Sequence, residues 1–121
     1  MPVQKILIVD DSPSDRQYLL EKLSAHGYEC VTAENGVEGI AKAKTELPDL
    51  ILMDIIMPGI NGYEATRAIT RDEATRGIPV FLCTGKDQET DRLWGLRQGA
   101  RDYVTKPIDF DVLIAKIAAL G

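Results

Sequence analysis

The chain has 121 residues, the length of one domain and enough to bury a core. Hydrophobic residues make up 45% and charged residues 27%, as in an ordinary globular chain, and 19 acids against 14 bases give a formal charge of -5. That acidic balance, with no cluster of basic residues, argues against nucleic acid or an anionic membrane surface as a partner.

Met1-Pro2-Val3-Gln4-Lys5 lacks the long apolar region and cleavage site of a signal peptide. It leads directly into Lys5 to Val9, a short, apolar, β-branched run that predicts a buried strand. Ser12-Pro13-Ser14-Asp15 reads as a helix start, with Ser12 as cap, Pro13 in the first turn and Asp15 three residues after the cap. Leu19, Leu20 and Leu23 continue that helix, Gly27 suits its end, and His26 is expected there as a surface residue. Tyr28 to Ala33 predicts a second strand, and Asn35 caps a helix running to about Glu46. Leu50 to Met53 is a third strand ending at Asp54, followed by the turn-rich loop from Met57 to Gly62. A third helix is predicted from Tyr63 to about Asp72, and Pro79 to Cys83 is a fourth strand. Asp87 is the expected cap of a fourth helix, with Leu93 and Leu96 on its core stripe and Trp94 near the edge. Arg101 to Val104 is a fifth strand, and Asp109 caps a last helix carrying Val112, Leu113, Ile114, Ile117 and Leu120. The apolar stretches are interrupted by Asp10 or Asp54, so none can span a bilayer. Cys30 and Cys83 lie in strand-like segments and are expected to be buried free thiols.

A βα unit repeated five times predicts an α/β fold, a doubly wound parallel sheet with helices on both faces. Right-handed crossovers place every strand's carboxyl end on one edge. The expectation is a single domain over 1–121 with no output domain, monomeric and cytoplasmic.

The residues just beyond the strands carry the functional signal. Asp10 and Asp11 follow the first, Asp54 the third, Thr84 the fourth and Lys106-Pro107 the fifth. Singly, each has a bland explanation as a cap or turn residue; jointly they meet where such sheets bind ligands. Three carboxylates held together repel, and a divalent cation removes the conflict. Oxygen ligands with room for water favour Mg²⁺. Lys106 offers a point charge for a phosphate oxygen and Thr84 a hydroxyl donor. A nucleophilic carboxylate with a metal, an ammonium and a hydroxyl is equipment for accepting a phosphoryl group.

With these motifs, the sequence resembles the response-regulator receiver family, of CheY-like (flavodoxin-like) fold. The resemblance spans the chain and rests on Ile6 to Ser12, Leu52 to Gly62, Thr84 and Gly99 to Pro107. It implies a five-stranded sheet of order 2-1-3-4-5. It implies Asp54 as phosphoacceptor, with Mg²⁺ held by Asp10, Asp11, Asp54 and the backbone carbonyl of Ile56. Thr84 and Lys106 would contact the phosphoryl group, Thr84 and Tyr103 would form the switch, and Lys106-Pro107 would be a cis peptide. Ile56 and Lys86 would tune turnover. Gly85 departs from the family's frequent Ala. The implied partners are a histidine kinase or histidine phosphotransfer domain, and a protein target at the face of the fourth helix, fifth strand and fifth helix. A narrower resemblance, to stand-alone receivers controlling type IV pili and twitching motility, is carried by Met57 to Gly62 and Lys86 to Tyr103. The receiver would be an output regulator or a phosphate sink that drains a shared kinase. An aspartyl-phosphate phosphatase would need an acid where Ile56 stands, and a flavin module would need a Ser/Thr-rich loop in place of Asp10-Asp11.

Overall fold

The computed structural model describes residues 2–85 and 89–120, and of residues 89–92 the backbone alone. The expected cap Asp87 and the tuning candidate Lys86 lie outside the described residues. In chain order the elements are β1 (Lys5–Val9), α1 (Pro13–Ala25), β2 (Glu29–Ala33), α2 (Gly36–Glu46), β3 (Leu50–Asp54), α3 (Gly62–Arg71), β4 (Val80–Thr84), α4 (Glu89–Arg97), β5 (Asp102–Thr105) and α5 (Phe110–Ala118). The strands form one parallel sheet in the order β2-β1-β3-β4-β5.

Period-two alternation divides the central strands between two cores. Ile6, Ile8, Leu50, Leu52, Phe81 and Cys83 face Leu19 and Leu23 of α1 and Leu113 and Ile117 of α5. Leu7, Val9, Ile51, Met53, Val80 and Leu82 face the other way, toward Ala43 of α2 and Ala65 and Ile69 of α3. Both faces of β1, β3 and β4 are therefore covered, which is why these strands read as unbroken apolar runs. Among the described residues, no helix is long and apolar enough to cross a membrane. Cys30 and Cys83 are free thiols; Cys83 is buried, and burial pushes it up to about 12, whereas Cys30 is half-buried.

Local chemistry fixes the helix starts. Ser12 accepts the Asp15 N–H at 3.3 Å, Asn35 accepts that of Glu38 at 2.8 Å, and Asp109 accepts those of Asp111 and Val112. In α3, Asn61 and Glu64 form a reciprocal capping box, so the helix begins at Gly62, one residue before the expected Tyr63. The α4 expectation needs correcting. Leu93 and Leu96 are exposed, and among the described side-chain positions of α4 the buried residue is Gly95. A Cβ on Gly95 would come within 2.6 Å of Leu82 Cδ1, so the helix approaches the sheet on its glycine and turns its leucines outward. Trp94 is half-exposed and meets Tyr63 edge-on, with ring centroids 6.3 Å apart.

Candidate functional site

The strand register brings the carboxyl ends level. Val9 pairs with Met53, Asp54 with Cys83, and Thr84 with Thr105. Asp10 and Asp11 extend β1 at this edge, Asp54 closes β3, and Lys106 follows β5. One carboxylate oxygen from each of Asp10, Asp11 and Asp54 lies within 4.8 Å of the others, with Asp10 buried and Asp11 exposed. The Lys106 ammonium is the cation among them. It donates to Asp10 Oδ2 at 2.9 Å and pairs with Asp54 Oδ1 at 3.2 Å. Its backbone N–H donates to the Thr84 carbonyl at 2.6 Å, tying the ends of β4 and β5, and the Lys106-Pro107 peptide is cis.

The charges are not balanced. Burial first, and then the negative charge of Asp10, push the Asp54 carboxyl up from 3.8 to about 6. Lys106 and the Ile55 N–H, which donates to Asp54 Oδ1 at 3.0 Å, pull the other way and do not prevail. Burial acts to lower Lys106, but its carboxylate partners more than offset this and hold it above its ordinary value. Lys106 therefore pairs with Asp10 and Asp54 but not with the third acid of the cluster, Asp11, and the group retains net negative charge. An all-oxygen donor set with surplus negative charge fits a hard divalent cation, so the acidic cluster can bind a metal.

Beside the acids opens a cavity of about 650 Å³ lined by Asp54, Ile56, Met57, Cys83, Thr84 and Gly85. Thr84 is buried at its wall, and the Ile56 side chain is largely exposed. Tyr103 is half-buried one strand away, opposite Leu82 in the register, and packs against the core on the α2–α3 side. The sequence reading thus finds Asp10, Asp11, Asp54, Thr84 and Lys106 together, with Tyr103 a strand removed.

Three supporting residues escaped that reading. Gly62 donates its N–H to the Ile55 carbonyl at 2.8 Å, and a Cβ there would stand 2.2 Å from the Asp54 carbonyl oxygen. The α3 terminus therefore closes directly over the Asp54 loop. The Arg16 guanidinium donates to the Asp10 carbonyl at 2.7 Å and pairs with Glu34 at 3.6 Å, bracing the turn that carries both N-terminal acids. Asp15 pairs with Lys106 at 3.2 Å. The turn-rich loop hinted at the first; Asp15 was read only as a helix-start acid, and nothing in the sequence singled out Arg16.

A parallel 2-1-3-4-5 sheet with an acidic cluster and a lysine at its carboxyl edge defines a CheY-like receiver. The response regulator receiver domain family matches residues 6–118, and the chain belongs to that family. It is 54% identical over 116 residues to Protein PilH of Pseudomonas aeruginosa, a match covering 96% of each chain. It is 44% identical to the response regulator PleD of Caulobacter vibrioides, covering 96% of this chain but 26% of PleD. The Vibrio cholerae chemotaxis protein CheY4 superposes with a TM-score of 0.92 at 30% identity, covering 98% of this chain and 99% of CheY4. The protein is a PilH-like response regulator of two-component signalling, and receivers of this family accept phosphoryl groups from histidine kinases.

Proposed function

We propose that Asp54 is the phosphoacceptor and that Asp10, Asp11, Asp54 and the Ile56 carbonyl hold Mg²⁺. The observation that carries this is the Asp10-Asp11-Asp54 cluster closed by Lys106, 3.2 Å from Asp54. When bound, Mg²⁺ supplies positive charge against the oxygens of the transferring group. The ionised Asp54 carboxylate can attack phosphorus, and a bound cation would favour that form against the burial that opposes it. With a phosphohistidine donor, the new Asp54 Oδ–P bond forms as the P–N bond breaks, and the electron pair leaves with the imidazole nitrogen. Lys106 pairs with a phosphoryl oxygen. The Thr84 hydroxyl donates to another, and Tyr103 follows as the β4 end moves. Charge-assisted hydrogen bonds contribute about 1.5–3 kcal/mol each. Two give roughly 3–6 kcal/mol, against about 5.5 kcal/mol needed to carry a two-state switch from mostly off to mostly on. The output face is that of α4, β5 and α5, where Leu93, Trp94 and Leu96 are exposed.

The similarity to PilH supports a place in type IV pilus or chemotaxis-like signalling, as an output regulator or a kinase-draining sink. With Mg²⁺ and acetyl phosphate, the wild-type protein should gain one labile phosphoryl group and Asp54→Asn none, read by intact mass. A wild type that gains none, or an Asp54→Asn variant that still gains one, overturns the proposal. Replacing the native copy with Asp54→Asn should alter twitching zones; unchanged zones would remove the pilus assignment.

A further inference from the structure

The third residue of a helix that begins with a Ser cap ordinarily turns its acid back to the cap's N–H. Glu64 does this in α3, accepting the Asn61 N–H at 3.1 Å. Asp15 holds the equivalent place in α1, but the Ser12 N–H donates instead to Asp10 Oδ1 at 2.9 Å. The Asp15 carboxylate turns to the Lys106 ammonium, which donates to its Oδ2 at 3.2 Å. An ammonium has three N–H donors. Those of Lys106 face Asp10, Asp15 and Asp54, at 2.9, 3.2 and 3.2 Å.

These partners are not equally replaceable. The Asp10 side chain is 3% exposed, and stripping its cation would strand a buried charge. Asp54 is the reacting group itself. The Asp15 side chain is 50% exposed, so water can take over its solvation, and exposed pairs of this kind are weak. Next to it, a cavity of about 630 Å³ lined by Asp15, Tyr18, Leu19, Lys106, Pro107 and Ile108 gives the lysine stem room on the α1 side.

We propose that Asp15 is a positioning residue that parks Lys106 toward α1 and competes with the incoming phosphoryl group for its charge. Phosphorylation then exchanges an exposed carboxylate for a phosphoryl oxygen on the same ammonium. Asp15 thus sets how readily the site takes phosphate without touching the phosphate itself. This rests on the phosphoacceptor reading of Asp54.

Beryllofluoride binding in Mg²⁺ buffer tests it. Asp15→Asn should bind about two- to fivefold tighter than wild type, the range of an exposed ion pair, and Asp15→Glu should return toward wild type. In a Lys106→Gln background the Asp15→Asn gain should disappear, because the effect passes through the lysine. In Mg²⁺-free wild type the Lys106 ammonium protons should exchange slowly by ¹⁵N-detected NMR and faster in Asp15→Asn, which keeps the test usable if Lys106→Gln fails to fold. Unchanged affinity in Asp15→Asn, a gain that survives loss of Lys106, or identical ammonium exchange overturns the proposal. A wild type that binds no beryllofluoride overturns the phosphoacceptor reading instead.

Discussion

The two ends of the sheet solve one electrostatic problem in opposite ways. At the amino edge, Lys5 sits between Glu46 at 3.1 Å and Glu29 at 3.6 Å, whose side chains are 38% and 68% exposed. Asp49, just before β3, accepts the N–H groups of Gln4 and Lys5, each at 2.9 Å, and these bonds hold its carboxyl below its ordinary value. At the carboxyl edge, Lys106 sits between Asp10 and Asp54, whose side chains are 3% and 12% exposed, and Asp54, at the other end of the same strand, is pushed up to about 6. One edge meets its charges with water and backbone donors and gains stability. The other buries them without full compensation, leaving a raised carboxyl and an acidic cluster that can take a cation. Buried charge that its partner does not fully compensate costs stability, and such conflicts cluster at functional sites.

The sharpest break in that contrast comes at Gly62. Its substitution by Ala would place a methyl 2.2 Å from the Asp54 carbonyl and 2.8 Å from Ile55 Cα, both backbone atoms with little freedom to yield. We expect Gly62→Ala to lose about 3 kcal/mol in urea unfolding, the upper range for overpacking. Mg²⁺ affinity should fall in the same variant, because relieving the clash moves the Asp54 loop. A variant as stable as wild type would mean that α3 does not hold this loop.

Next comes Asp54→Asn, which should stabilise the protein in Mg²⁺-free buffer. A carboxyl raised from 3.8 to about 6 binds more protons folded than unfolded between those values. Its favourable contribution is present below 3.8 and is lost as pH rises through about 6. At pH 7.5 the wild type therefore carries the full penalty. Each pKa unit is worth about 1.4 kcal/mol, and partial solvation of the side chain reduces the sum, so the gain should be about 1–2 kcal/mol. Thermal melts across pH should show this gain shrinking to nothing near pH 4. A gain independent of pH would assign it to packing rather than charge.

The fold was legible because its signals are local and repeated: apolar strand runs, caps at Ser12, Asn35 and Asp109, and one acid or lysine at each critical strand end. The 2-1-3-4-5 order is implied by the family resemblance, and the observed sheet has it. The rotation of α4 was illegible because periodicity weighs Leu93 and Leu96 by hydrophobicity, whereas Gly95 wins by letting the helix approach Leu82. Asp15 looked like an ordinary N-terminal helix acid. Its turn toward Lys106 depends on Ser12 having given its N–H to Asp10, a choice between two carboxylates that spacing does not record. Asp49 passed unnoticed for a similar reason, since its donors lie more than 40 residues earlier in the chain.

That residue supplies the smallest effect, opposite in sign. Asp49→Ala removes an acceptor of two backbone N–H groups at the start of β1, and these groups are solvent-accessible enough for water to replace it in part. A loss of about 1 kcal/mol is expected at neutral pH. Because the folded carboxyl titrates below 3.8, its contribution is present above that value and is lost as pH falls through the lower folded one. The gap between wild type and Asp49→Ala should therefore close only at pH values below 3.8, where that of Asp54→Asn has already vanished. Mg²⁺ and beryllofluoride binding should be unchanged in Asp49→Ala, because the residue lies at the far end of β3 from Asp54. Altered binding in that variant would show that strain passes along β3, and the two edges would no longer count as separate solutions.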